Sequence, residues 1–165
     1  MDVKPVIVEG MKLCGLSVQL TRSQSQNHQI ISKLWQTFNH ILKSKQLKLG
    51  RNWVKYGITK KVGDSYYYMT AIPSDIGVDG FQIDGFESET FDTAEYCCFQ
   101  HIGSMDLIKS TIYKIYKEVI PSLGICLNEN RGLIHYERYD YRFNWNNPNS
   151  IIDIYVPIKR ESQFC

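Results

Sequence analysis

The sequence predicts an α+β fold: duplicated strand–helix–strand–strand units forming an antiparallel-rich sheet, with two long helices and a ligand groove between the halves. Three observations predict it. The order of elements in the first half of the chain recurs in the second. Each half holds one apolar stripe at helical spacing, Ile30 to Leu42 in the first and Leu107 to Val119 in the second. Around each stripe lie runs rich in aromatic and β-branched residues, joined by short turns, as strands and hairpins require. The repeat is one of element order, not of identical residues.

Taken in order, Lys4–Glu9 and Lys12–Leu20 are extended, apolar-rich runs broken at Gly10. Thr21–Asn27 is polar, with Ser23 or Ser25 as the helix N-cap. Ile30, Ile31, Leu34, Trp35, Phe38, Ile41 and Leu42 make the first helical stripe, and the lysine-rich Lys43–Lys48 suits the negative end of its dipole. Trp53–Lys61 and Ser65–Ile72 are strands around the turn Val62-Gly63-Asp64. Pro73–Glu89, rich in Gly, Asp and Ser, reads as a connection between halves. Thr93–His101 is the next strand. Ser104 caps a helix with the stripe Leu107, Ile108, Thr111, Ile112, Ile115, Tyr116 and Val119, which Pro121 and Gly124 stop. Leu133–Tyr141 and Ile151–Ile158 are the last strands, around a turn at Asn144–Asn149. The expectation is one domain over residues 1–165, with pseudo-repeats at about 4–73 and 90–158.

Composition narrows the function. Of the 165 residues, 43% are hydrophobic and 22% charged, which describes a soluble globular protein rather than a disordered one. A net charge of +2 gives no basic face, so direct nucleic-acid binding is not expected. No stretch is apolar for long enough to span a membrane, and the N-terminus lacks the apolar core of a signal peptide. The five cysteines, Cys14, Cys97, Cys98, Cys126 and Cys165, show no metal spacing and read as free thiols of a cytoplasmic protein. His28, His40, His101 and His135 are scattered without ligand spacing, and no phosphate loop, nucleophile elbow or dinucleotide fingerprint appears, so no metal or cofactor is implied. Aromatics are plentiful: 11 Tyr and 3 Trp point to a surface or cavity that is apolar but keeps polar handles.

The stretch richest in chemistry is Ile134-His135-Tyr136-Glu137-Arg138-Tyr139-Asp140. As a strand it sets Glu137 on one face with His135 and Tyr139, and Tyr136 and Arg138 on the other. A carboxylate facing an aromatic interior is costly unless it finds a partner. That partner is either an internal basic side chain or a ligand brought from outside, and Arg138 points the wrong way.

Several stretches together resemble the GyrI-like small-molecule-binding family, which includes the effector-binding domains of AraC-type and MerR-type multidrug regulators from bacteria. They are Cys14-Gly15-Leu16-Ser17-Val18, Leu34-Trp35-Gln36-Thr37-Phe38, Tyr56-Gly57-Ile58, Phe99-Gln100-His101-Ile102-Gly103, Tyr136-Glu137-Arg138-Tyr139-Asp140 and Ile154-Tyr155-Val156-Pro157-Ile158. The resemblance implies a ligand held between the halves by aromatics, with a glutamate that matches Glu137. It also implies a preference for lipophilic cations, which cation–π attraction would reinforce by about 0.5–2 kcal/mol each. Trp35, Tyr56, Tyr68, Phe99 and Tyr155 are the aromatic candidates; a plain core role is the alternative for each except Tyr155. No helix-turn-helix precedes the first strand, so a stand-alone member is expected.

The leading expectation is a module that binds, senses or sequesters a lipophilic, cationic small molecule. One alternative is a hydrolase of strained or electrophilic small molecules, with Glu137 as general base paired with a tyrosine hydroxyl such as Tyr139 or Tyr155. Another is a protein inhibitor of a partner such as gyrase, which a large exposed aromatic patch would favour.

Overall fold

The computed structural model describes residues 3–75, 83–129 and 132–159. Its strands are β1 (Val3–Val8), β2 (Met11–Gln19), β3 (Lys55–Val62), β4 (Ser65–Pro73), β5 (Glu87–Phe91), β6 (Ala94–Ile102), β7 (Leu133–Tyr139) and β8 (Ile151–Pro157). Helix α1 spans Gln24–Ser44 between β2 and β3. Its N-cap is Ser23, whose hydroxyl accepts from the Gln26 N–H at 3.3 Å. Ser25 instead sits inside the first turn.

The second helix, α2, lies between β6 and β7 and is joined from pieces. A 3-10 turn at Met105–Leu107 leads into an α-helical stretch at Ile108–Lys114, a π-helical stretch at Ile115–Val119 and a final α turn at Ile120–Leu123. Pro121 supplies the reason for the irregularity. It has no N–H to give to the carbonyl four residues back, and its ring crowds that carbonyl. The wider π pattern immediately before it takes up the misfit.

All strand pairs are antiparallel, in the order β1-β6-β8-β7-β3-β4-β2-β5. The sheet curls into a half-barrel. Read outward from its middle, the order is β7-β8-β6-β1 on one side and β3-β4-β2-β5 on the other, so the two halves occupy matching places. Their leading strands are exchanged: β1, which precedes the first half, pairs with β6, and β5, which precedes the second, pairs with β2. Strand β5 corrects the reading of 73–89 as connection alone. Its residues Glu87-Ser88-Glu89-Thr90 carry no strand signal of their own, and pairing with β2 supplies the order. Residues 76–82 of that connection lie outside the described residues.

Each face of the sheet has its own core. One face presents Cys97, Phe99, Ile152, Ile154, Val156 and Tyr139 to Ile108, Ile115 and Ile120 of α2. On the same face, Ile72 meets Phe38 and Leu42 of α1. Trp35 packs against both groups and so links the helices. The other face buries Leu13, Tyr56, Ile58, Met69, Ala71, Tyr96 and Tyr136, and among the described residues no helix residue takes part. Gly15 of β2 allows tight pairing there, because a Cβ at that position would stand 1.8 Å from the backbone oxygen of Thr70.

The cysteine expectation needs one correction. Cys14, Cys97 and Cys98 are free thiols, but Cys126 is disulfide-bonded. The sequence alone shows no pairing pattern, because connectivity depends on which segments the fold brings together. Among the described residues, no helix is long and apolar enough to cross a membrane.

Candidate ligand-binding site

Strands β3 and β7 meet at the middle of the sheet, and their register builds the site. Gly57 stands opposite Glu137, and Lys55 opposite Tyr139. On the far side of β7, Glu137 is opposite Ile154 of β8. Strand alternation then turns His135, Glu137 and Tyr139 toward the helices, and Tyr136 and Arg138 away from them. Gly57, Thr59 and Lys55 of β3 share the Glu137 face, as do Thr70 and Tyr68 of β4.

Glu137 is buried, with 5% exposure. Its Oε1 accepts two hydrogen bonds of 2.9 Å, one donated by the Tyr68 hydroxyl and one by the Tyr139 hydroxyl. The Tyr68 hydroxyl in turn accepts from the Trp35 indole N–H at 3.0 Å. A directed chain therefore runs from α1 through β4 to the carboxylate on β7, each bond polarising the next. Burial pushes the Glu137 carboxyl up to about 7, against the two hydroxyls, which favour its ionised form. Burial likewise raises the Tyr68 and Tyr139 hydroxyls well above their ordinary value, and the neighbouring carboxylate adds to this. Both phenols therefore stay protonated and act as donors. Among the described residues, no ion pair involves Glu137.

Beside this network opens a cleft of about 140 Å³, lined by Trp35, Asn39, Trp53, Lys55, Met105, Tyr139, Phe143 and Trp145; Glu137 and Tyr68 are not among its lining residues. All three tryptophans of the chain are among these residues. The rings form a continuous wall. Trp35 meets Tyr139 edge-on at 5.1 Å, Tyr139 meets Phe143 at 5.0 Å, and Phe143 meets Trp145 at 6.5 Å. Tyr139 joins cleft and carboxylate, because its ring lines the first and its hydroxyl holds the second. The loop that carries Phe143 and Trp145 is pinned at its base by Arg142. That guanidinium donates to both carboxylate oxygens of Asp140 at 2.9 and 3.0 Å and also pairs with Asp153.

The structure brings together three of the six residues singled out from the sequence: Glu137, Tyr68 and Trp35. The other three lie elsewhere. Tyr155 follows Ile154, the direct partner of Glu137, so it turns to the opposite face, where it stacks on Tyr136 with ring centroids 4.7 Å apart. Tyr56 precedes Gly57 and is turned away for the same reason, meeting Tyr136 edge-on at 5.7 Å. Phe99 shares the face of Glu137 but is fully buried in the core beneath α2. Trp53, Met105, Phe143 and Trp145 escaped the sequence reading. They come from segments flanking the strands, where no periodicity marks a residue's direction; the one available signal was the presence of tryptophan in polar loops. His135, on the same face, bonds the Tyr116 hydroxyl of α2 through Nδ1 at 2.8 Å, and burial holds its ring neutral, with its titration lowered to about 4.

The fold has known counterparts. The family model for the GyrI-like small molecule binding domain matches residues 1–159. The chain belongs to the GyrI-like family. Among solved structures, SAV2435 bound to tetraphenylphosphonium is similar at TM-score 0.76 and 18% identity, over 96% of this chain and 94% of that one. The C-terminal domain of EcmrR aligns at TM-score 0.59 and 12% identity, over 96% and 98% of the two chains. A hydrolase from Listeria innocua aligns at TM-score 0.51 and 12% identity, over 95% and 91%. At such identities the likeness is one of fold. No curated protein sequence matches the chain.

Proposed function

We propose that this GyrI-like domain binds a lipophilic cation in the cleft between α1 and α2, with Glu137 supplying the opposing charge. One observation carries the reading: a buried carboxylate, bonded among the described residues only to neutral hydroxyls, is joined through the Tyr139 hydroxyl to a cleft walled by aromatic rings. The faces of Trp35 and Tyr139 attract a cation, and the low local dielectric lets the charge behind them act at short range. SAV2435, which carries tetraphenylphosphonium, is consistent with the same ligand class. Aromatic walls impose little shape, so the site would accept several such cations, as a multidrug sensor or sequestering protein does.

The test is calorimetric titration of wild type and Glu137→Gln with tetraphenylphosphonium and with neutral triphenylphosphine oxide. The substitution is expected to weaken the cation by about 2 kcal/mol, the low end for a buried charge pair, because Tyr139 stands between. The neutral ligand should bind both proteins alike. Cation affinity of the wild type should also climb as pH rises through about 7, where Glu137 ionises. Equal losses for cation and neutral ligand would sink the proposal.

A second reading has its own support. A carboxyl titrating near 7 beside two phenols suits general-base hydrolysis, and a Listeria innocua hydrolase shares the fold. Under that reading Glu137→Gln abolishes turnover of an electrophilic substrate while leaving its affinity intact.

A further inference from the structure

The cleft lined by Tyr139 also holds a cation of its own. Lys55 stands directly opposite Tyr139 across the β3–β7 pair, on the face that forms the cleft. Its ammonium donates to Asn39 Oδ1 at 2.8 Å and lies 5.5 Å from the centre of the Trp53 ring. Among the described residues it has no carboxylate partner. An ammonium has three protons to donate, and Asn39 takes one. Burial lowers the lysine's titration point, which is the mark of a charge short of counter-charge. A purely cationic ligand would bring a like charge to this group.

We propose that the cleft is built for an amphoteric aromatic ligand, a small cation that also carries a carboxylate. The carboxylate meets Lys55 and the Asn39 side-chain amide, while the cationic end lies over Trp35 and Tyr139 on the Glu137 side. The spacing follows from the sheet. Lys55 and Gly57 are two residues apart on β3, and Gly57 is opposite Glu137, so the two protein charges spring from diagonal backbone positions about 8 Å apart. A ligand whose own charges are separated by a single aromatic ring matches that interval. This inference rests on the cation-binding reading of the same cleft and adds the second charge.

The probe is 4-(trimethylammonio)benzoate, compared with its methyl ester, which keeps the cation and loses the anion. Binding is read at pH 8 from quenching of tryptophan emission, since Trp35, Trp53 and Trp145 all line the cleft. The wild type is expected to bind the acid about tenfold more tightly than the ester, the scale of one close charge pair. Lys55→Met should erase that preference or reverse it. Asn39→Asp, at an exposed helix position, gives Lys55 an internal carboxylate and should likewise cost the acid its advantage over the ester. Equal binding of acid and ester to the wild type, with no response to either substitution, overturns this inference alone. Failure of both compounds and of tetraphenylphosphonium to bind the wild type overturns the cation-binding cleft, and this inference with it.

Discussion

Gly57 is the smallest residue of the site and sets its spacing. A Cβ there would stand 2.1 Å from the Tyr68 hydroxyl oxygen and 2.9 Å from Glu137 Oε1. The phenol of Tyr68 can cross β3 to reach the carboxylate only because the strand has no side chain at that point. Tyr68 is 3% exposed and cannot swing out to make room. Gly57→Ala is therefore expected to cost about 1–3 kcal/mol by overpacking, and to part Tyr68 from Glu137. Losing a donor would raise the carboxyl's titration above about 7. Urea unfolding reads the first effect and carbon-13 NMR of the carboxyl the second; a variant unchanged in both would show that Gly57 has no such role. The sequence offered Gly57 only as the centre of a short motif. Its role needs a pairing between positions roughly eighty residues apart, which local pattern does not carry.

At the scale of elements, β7 sets buried His135 and Glu137 on one face, and the two pull stability in opposite directions. Glu137 titrates at about 7 when folded and near 4.5 when not, so its contribution is complete below pH 4.5 and is lost as pH rises through 7. His135 titrates at about 4 when folded and near 6.5 when not, so its contribution is present above pH 6.5 and is lost as pH falls toward 4. Each shift corresponds to something on the order of 3 kcal/mol. Across the shared window the two slopes oppose, and the wild type should be nearly flat with respect to this pair. Glu137→Gln removes one slope, so the stability gap between variant and wild type should move in the variant's favour by about 3 kcal/mol from pH 4.5 to pH 8. Unfolding in urea at both pH values checks this, and a gap independent of pH would contradict it. Strand alternation made the company of His135, Glu137 and Tyr139 legible in the sequence. It does not carry the register of the neighbouring strands, and there Tyr155 and Tyr56 each lie one position out of phase with Glu137. The stripe of α2 was legible too, but its π stretch was not, because periodicity averages over a single extra residue per turn.

The whole molecule is tied together by its exchanged strands. We propose that residues 1–165 form one domain of two units, about 4–73 and 90–158, and that neither unit folds alone. The strand that leads into each unit pairs with the other unit, β1 with β6 and β5 with β2. Tryptophan emission and far-ultraviolet circular dichroism should then report one coincident unfolding transition; two separated transitions would refute the single unit. The duplicated order was legible because hydrophobic period and turn residues are local, whereas the exchange was not, because edge pairing is decided by partners far along the chain. That exchange also bears on how the chain is made. Strand β1 leaves the ribosome well before its partner and hydrogen-bonds with residues roughly ninety positions later, so at about 5–20 residues per second that partner follows about 5 to 20 seconds behind. Until then β1 is an open template for any passing strand. Lys4 and Pro5 sit in its middle, a charge and a missing N–H of the kind that keep an unpaired edge from recruiting the wrong neighbour.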